Sequence, residues 1–340
     1  MGERSESDRQ LLLFAAFITL GSATFAALLL SDTSESLPAL RIIPAWMMAF
    51  LIVNGIFALL YMAKAGIRSP ISHSWTFLRE NRRTVVYCSL ILMLAGMNKV
   101  AFMWVKPVLN HTVPFWADPL LSDLDRYIFF GHDPWRLLQG LNFSSVGVIY
   151  HPVWFGGLII ALSIAIWAPR GPERSSVVLS YFLLWSFVGP TIHCLLPAGG
   201  PIFFERLGYG PRYAGLDSHL ETAMIADYLW SGYNDGQLGV GSGISAMPSM
   251  HVTMSAWLLV TIWKLARPLL PFAIAFYLSI VTLSMSLGWH YALDGIVGTL
   301  AASLCYHALA TFFRRRLSRG ARRSRSTALP ARPSLEIGAT

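Results

Sequence analysis

The chain has 340 residues, of which 54% are hydrophobic and 13% are charged, and its formal net charge is +8. Soluble domains contain about 25% charged residues, so this composition excludes an ordinary soluble domain and indicates a polytopic membrane protein. The positive charge would also suit a nucleic-acid-binding protein, but the distribution of Lys and Arg has a simpler explanation in the membrane topology.

Apolar runs predict an all-α membrane bundle of about eight transmembrane helices, because about 20 residues are needed to cross a hydrocarbon core of about 30 Å. The predicted spans are 11–30, 43–63, 84–105, 148–168, 176–196, 246–265, 270–288 and 290–313. The predicted organisation is N-terminal transmembrane helices with an outer interfacial segment at 1–147, a catalytic membrane domain at 148–313, and a basic, disordered tail at 314–340.

An even number of spans puts both termini on one side of the membrane. Nineteen of the 26 Lys and Arg residues then fall on that side, and the other seven on the opposite side or its helix ends. The positive-inside rule predicts that both termini are cytoplasmic. We therefore interpret the tail from Arg314 onward as a topology anchor in an integral protein of a bacterial inner or plasma membrane. Binding to nucleic acid is not expected.

Two long segments lie on the predicted outer side. The first, at 106–147, is punctuated by Pro, Gly and aromatic residues, which favours short interfacial helices that would roof a site. The second, at 197–243, carries Arg206 and Arg212 and leads directly into the span at 246–265. Because loops of this length are usually functional or disordered, it is interpreted as a substrate-binding loop.

Two short segments near the end of the chain each place a histidine at a helix end. They are Ser245-Ala-Met-Pro-Ser-Met-His251 and Gly288-Trp-His-Tyr-Ala-Leu-Asp294. The predicted topology puts His251 and His290 at the same depth on the outer side, where a helix terminus favours an anionic group. Because His290 and Asp294 are four residues apart, they share one helical face.

These residues match the parts of a phosphoryl-transfer site. His290 would be the nucleophile, Asp294 would hold one of its tautomers, and His251 would give a proton to the departing oxygen. Ser249 and the free amides of its helical turn would bind phosphoryl oxygens. The alternative is a capping pair at a helix start, although a carboxylate inside a membrane helix is costly without a functional partner.

On these motifs, residues 176–300 resemble the membrane-bound type 2 phosphatidic acid phosphatase superfamily, whose second and third motifs are a Pro-Ser-Gly-His type segment and a His-x-x-x-Asp segment. The separation of 39 residues between His251 and His290 is most similar to the inositol phosphorylceramide synthase and inositol phosphotransferase branch. The resemblance implies a six-helix-type core, a phosphohistidine at His290, no metal or other cofactor, and an extracytoplasmic active site.

The chain departs from the family pattern where cations normally bind phosphate. Met250 stands in place of the usual glycine, and Ser284 in place of the arginine of the third motif. Lys99 with Lys106-Pro107 loosely matches the first motif, but it lies two spans upstream of the expected position. Arg206 and Arg212 are therefore predicted to bind the substrate phosphate. Ordinary interfacial arginines are the alternative interpretation.

The sequence thus predicts a membrane enzyme that moves a phosphoryl or phosphorylated head group from a lipid phosphate or phosphodiester to an alcohol, such as a lipid or polyol, or to water. A plain lipid phosphate phosphatase is the nearest alternative. A zinc hydrolase would use His251, His290 and Asp294 as metal ligands. A non-catalytic lipid transporter would instead line a path across the bilayer with ionisable residues.

Overall fold

The fold is a bundle of α-helices, seen in a computed structural model that describes residues 2–30, 34–216, 219–236 and 241–327. No β-strand occurs in these ranges. The helices are α1 (Gly2–Leu29), α2 (Ile42–Lys64), α3 (Pro70–Glu80), α4 (Arg82–Thr112), α5 (Asp118–Ile128), α6 (Pro134–Leu137), α7 (Val146–Trp167), α8 (Pro172–Leu183), α9 (Gly189–Leu195), α10 (Leu220–Asn234), α11 (Met250–Leu265), α12 (Leu270–Ser286) and α13 (Ala292–Thr327).

Seven helical segments in the described part of the chain are long and apolar enough to cross a membrane. They are Asp8–Leu29, Leu37–Lys64, Arg82–Thr112, Val146–Trp167, Pro172–Leu195, Arg267–Ser286 and Ala292–Arg319. A π-helical turn at Leu184–Val188 joins α8 to α9 within the fifth of them. The prediction of a polytopic all-α bundle is confirmed.

The eighth predicted span, at 246–265, is represented by α11, which has only 16 residues. At 1.5 Å per residue this helix is about 24 Å long, shorter than a hydrocarbon core of about 30 Å. The preceding segment approaches α11 as irregular chain. This is tolerated at membrane depth only where protein covers it.

The helix α11 lies at the centre of the bundle and packs against α7, α8, α12 and α13. Its Trp257 is buried, and the indole Nε1 donates a hydrogen bond of 2.9 Å to the Val177 carbonyl. Gly298 of α13 lies against Thr253, and a Cβ atom at this position would clash with Thr253 Oγ1. Small residues let membrane helices approach closely, so α13 lies directly beside α11.

The predicted roof at 106–147 contains α5, whose amphipathic pattern is inverted. Leu120, Leu124 and Tyr127 are exposed, whereas Asp118 and Asp125 are buried. The outer face combines these apolar side chains with the exposed Asp123 and Arg126, which suits a helix that lies in the membrane interface. The inward carboxylates are therefore available to bind the chain beneath the helix.

Three predictions from the sequence are not tested by the described residues. The predicted disorder of the tail at 314–340 stays a prediction: α13 continues to Thr327, and residues 328–340 lie outside the described part. Within the predicted substrate-binding loop, residues 217–218 and 237–240 also lie outside it. The predicted domain boundary at residue 147 stays a prediction.

Candidate active site

The chain just before α11 joins α4 to the histidine segments. Ile244 is clamped by Asn110 of α4: its N–H donates to Asn110 Oδ1 at 2.6 Å, and its carbonyl accepts from Asn110 Nδ2 at 2.5 Å. Two residues on, the Ala246 N–H donates to the Ala198 carbonyl at 2.8 Å. These contacts hold the Ala246 carbonyl in place for the histidine described next.

His290 lies in the turn between α12 and α13, and its side chain is buried. Its Nδ1 lies 3.0 Å from the Ala246 carbonyl oxygen, which can only accept a hydrogen bond, so Nδ1 carries the proton. The neutral ring then leaves Nε2 unprotonated. Because no described residue contacts Nε2 through a hydrogen bond, this atom is available to attack an electrophile in the adjoining cavity.

Asp294 lies beside His290, as the spacing of four residues predicts. Its Oδ2 is 3.6 Å from His290 Nδ1, which is within ion-pair range but beyond a hydrogen bond. The same oxygen accepts from the Tyr291 N–H at 2.8 Å. In this geometry Ala246 selects the tautomer, and Asp294 supplies a nearby negative charge. A backbone carbonyl has no sequence signature, so the role of Ala246 was not predicted.

His251 lies in the first turn of α11, and its ring centroid is 6.0 Å from that of His290. The predicted convergence of the two histidines at one end of the bundle is therefore present in the structure. His251 Nε2 lies 3.0 Å from Nδ1 of His151, a residue of α7 to which the sequence analysis gave no role. Trp154 Nε1 donates to the His251 carbonyl at 3.0 Å, which fixes α7 against α11.

Ser249 is the N-cap of α11, and its Oγ accepts a hydrogen bond of 3.3 Å from the Val252 N–H. The serine is completely buried and does not line the cavity between the histidines. Capping accounts for its position before the helix. Its predicted contact with phosphate stays a prediction.

A cavity of about 370 Å³ opens between α4, α7, α10 and the histidine segments. His151, His251 and His290 line it together with Lys99 and Lys106 of α4. These lysines are seven residues apart, which places them on the same side of α4 two turns from each other. The loose match to the first family motif therefore folds back onto the histidines.

Lys99 lies among aromatic rings. Its Nζ is 3.4 Å from the ring centroid of Phe155, 4.7 Å from that of Trp154 and 5.2 Å from that of Trp185. Within the described ranges, neither Lys99 nor Lys106 has a hydrogen bond or a carboxylate partner. The aromatic faces partly stabilise the Lys99 charge. The cavity therefore holds two cations whose charges no described residue neutralises.

The two predicted phosphate-binding arginines lie elsewhere. Arg206 Nη2 contacts Asp227 at 2.7 Å, and Arg212 contacts both Asp123 and Asp133 at 2.7 Å. Neither arginine lines the cavity. Proximity to His251 in sequence was the basis of the prediction, but the exposed Asp227 binds Arg206, and the exposed Asp123 and buried Asp133 bind Arg212. The contact of both arginines with phosphate stays a prediction, whereas Lys99 and Lys106 line the same cavity as the histidines.

The helix α5 holds the His290 turn through two buried carboxylates that were not predicted. Asp118 accepts hydrogen bonds from the Gly199 and Gly200 N–H groups, each at 2.8 Å, and from the Tyr291 hydroxyl at 2.9 Å. Asp125 accepts from the first two amides of α13 at 2.6 and 3.1 Å. Burial raises the pKa of both carboxyls, that of Asp125 to about 7, while the donated hydrogen bonds act in the opposite direction.

Asp118→Asn is expected to lower the free energy of unfolding by about 2–4 kcal/mol, because the amide offers one acceptor oxygen and leaves buried donors unmatched at about 1–3 kcal/mol each. Thermal unfolding in detergent measures this change as a lower midpoint. Asp123→Asn is the matched control on the same helix. Its exposed contact with Arg212 is expected to contribute less than about 1 kcal/mol. Equal stability of the two variants would contradict the bracing role of Asp118.

The same geometry bears on metal binding. The described part of the chain contains no group of three or more His, Cys, Asp or Glu side chains arranged to hold a metal ion. His290 Nδ1 already faces the Ala246 carbonyl, and His251 Nε2 already faces His151 Nδ1. The arrangement instead combines a free nucleophilic nitrogen, a second histidine suited to proton transfer, and two cations that would attract an anion.

The family of the chain follows from its similarity to known proteins. No curated protein and no solved structure matches the chain. A sequence model described as the PAP2 superfamily matches residues 120–308, more than half of the chain. The match includes His151, His251, His290 and Asp294, whereas Lys99 and Lys106 precede it. The chain therefore belongs to the PAP2 superfamily.

Proposed function

We propose that this protein is a membrane enzyme that transfers a phosphoryl or phosphorylated head group from a lipid phosphate or phosphodiester through a phosphohistidine at His290. Membership in the PAP2 superfamily supports an activity of the lipid phosphatase or phosphotransferase type. The observation that carries the proposal is the cavity itself, where Lys99 and Lys106 lack described counter-ions beside the free Nε2 of His290.

The charge of the cavity supports an anionic substrate. A buried cation without a partner is costly, so two of them in one cavity favour a ligand with negative charge. A phosphate group would offset both charges. The same cations would stabilise the additional charge on the phosphoryl oxygens in the transition state, which is usually the largest contribution to this kind of catalysis.

The first half of the reaction uses the two histidines in different roles. His290 Nε2 attacks phosphorus while the bond to the leaving oxygen breaks, and His251 gives that oxygen a proton. The ring of His290 becomes positively charged, and the Asp294 carboxylate, 3.6 Å from Nδ1, stabilises that charge. In the second half, an acceptor oxygen attacks phosphorus, the P–N bond breaks, and His251 takes the acceptor's proton.

We favour an alcohol over water as the acceptor. The cavity wall is mostly apolar and includes Phe102, Met103, Phe155, Trp185, Phe203 and Leu229. Apolar walls admit an amphipathic alcohol and reduce the access of water to the phosphohistidine. The spacing between the two histidine motifs makes inositol the first polyol to test. The site is proposed to face the extracytoplasmic side, since Lys and Arg concentrate on the side of the termini.

The test is turnover of purified protein on a panel of radiolabelled lipid phosphates and phosphodiesters in mixed micelles, without and with inositol or a diacylglycerol as acceptor. We expect at least one labelled lipid to be consumed and a phosphorylated alcohol to form when the matching acceptor is present. Release of inorganic phosphate alone would assign the protein as a phosphatase. Absence of any product across the panel would reject the proposed enzyme.

The same assay distinguishes the proposed mechanism from the metal-dependent alternative. After exhaustive dialysis against a chelator, the proposed mechanism predicts at least about 80% of the original rate, because no step requires a metal ion. Loss of turnover that added Zn²⁺ restores would instead favour the zinc hydrolase.

A further inference from the structure

His151 of α7 forms a pair with His251 that no family motif explains. The two rings meet through His151 Nδ1 and His251 Nε2 at 3.0 Å, with centroids 4.9 Å apart. At this distance a proton lies between the two nitrogens. The other ring nitrogen of His251, Nδ1, has no hydrogen-bond partner in the described part of the chain. His251 can therefore exchange a proton with the cavity at Nδ1 and with His151 at Nε2.

The surroundings leave His151 as the group best placed to supply that proton. The charged or titratable groups that face the pair are Lys99 and Lys106 from α4, Tyr150 from α7, and His290 from the turn before α13. The Tyr150 ring packs against His251 with centroids 5.0 Å apart, but its buried hydroxyl has no hydrogen-bond partner among the residues that the structure describes. Among the described residues, no carboxylate lines the cavity. Unlike His290, His251 thus has no described acidic residue beside it to orient or charge it.

Resting on the function proposed above, we propose that His151 is a relay residue that supplies a proton to His251 when the leaving group departs and takes it back when the acceptor attacks. His151 is then a third histidine of the site, beside the two that the sequence motifs contain. His151 acts through His251 and is not assigned a contact with the reacting phosphorus.

The proton count of the relay balances over the two halves. The pair enters the first half with three protons on its four ring nitrogens, and its positive charge is offset by the anionic substrate. The leaving oxygen takes the proton from His251 Nδ1, while His251 Nε2 takes one from His151 Nδ1, so two neutral rings remain. In the second half, the acceptor's proton enters at His251 Nδ1, and the proton on Nε2 returns to His151.

The test compares two leaving groups in His151→Asn. The Asn amide occupies the position of Nδ1 and keeps a hydrogen bond to His251, but it cannot give up a proton. An alkyl leaving group needs protonation, whereas p-nitrophenolate departs without it. We expect the kcat for a dialkylglycerol phosphate to fall roughly 100-fold with KM within about 2-fold. The first-turnover release of p-nitrophenol from p-nitrophenyl phosphate should change less than about 3-fold.

The matched control is His307→Gln, an exposed histidine on α13 whose Nδ1 contacts the Ser303 carbonyl. It should leave both rates unchanged. Equal losses on the two substrates in His151→Asn, or no loss on either, would overturn the relay while the proposed function stands. Failure of the unmodified protein on both substrates would reject the function itself. If His151→Asn is not recovered folded, His151→Gln is judged by the same two rates.

Discussion

His290→Ala is expected to reduce lipid phosphate turnover by at least about 10⁴-fold, the largest effect of any single substitution in this protein. In the proposed mechanism the free Nε2 of His290 forms the covalent bond to phosphorus, and removal of that nucleophile would abolish the two-step route. Only catalysis by the remaining cations and by substrate binding would persist. The measurement is the rate of product formation from the radiolabelled lipid that gives the highest turnover with the unmodified protein.

A second measurement separates loss of chemistry from loss of structure. Rapid acid-free quenching of the unmodified protein should trap radioactive phosphate on the chain, and this label should be stable in base, labile in acid, and absent from His290→Ala. His307→Ala, a change at an exposed histidine of α13, should retain both the label and the turnover. Labelling that persists in His290→Ala would assign the nucleophile to another residue.

Lys106→Met is expected to lower kcat/KM by about 10²–10³-fold, the second largest effect. Methionine retains much of the side-chain volume but removes a cation that no described residue neutralises, and such a cation stabilises charge on the phosphoryl oxygens. Lys99→Met should also lower kcat/KM. Lys106→Arg should recover part of the rate, because arginine keeps the charge but alters the geometry.

Arg206→Met is the matched control for the lysine variants. Arg206 contacts Asp227, whose side chain is 65% exposed, and it does not line the cavity. We expect its kcat/KM to stay within about 3-fold of the unmodified protein, since an exposed ion pair contributes little. The reverse ranking, with Arg206→Met severely impaired and Lys106→Met nearly normal, would restore the arginine as the phosphate ligand and remove the lysines from the mechanism.

The reaction outcome depends on which acceptor reaches the phosphohistidine. A hydrolase and a transferase would share His290, His251 and the two lysines, because both begin with the same attack on phosphorus. They differ only in the molecule that occupies the cavity in the second half. The apolar wall of the cavity next to a polar centre suits an amphipathic alcohol. Product analysis with and without an acceptor distinguishes the hydrolase from the transferase.

Several properties of this protein follow from local sequence. The membrane bundle was predictable because the bilayer thickness sets the length of each apolar run, so the signal is contained within about 20 consecutive residues. The proximity of His290 to Asp294 was predictable from their separation of four residues, although His290 lies in the turn before α13 and not on a shared helical face. The meeting of His251 with His290 followed from a count of spans, which puts both helix ends at the same surface.

Only the tertiary structure decided which groups complete the site. Lys99 and Lys106 lie on α4, far upstream of His290, and reach the cavity because Asn110 clamps that helix to Ile244. The Ala246 carbonyl and His151 belong to no motif, and each acts through a contact between distant parts of the chain. Arg206 and Arg212 are near His251 in sequence, but carboxylates that do not line the cavity bind them. Helical periodicity is encoded over a few residues, whereas the packing that brings a cation or a proton donor to a nucleophile depends on the whole bundle.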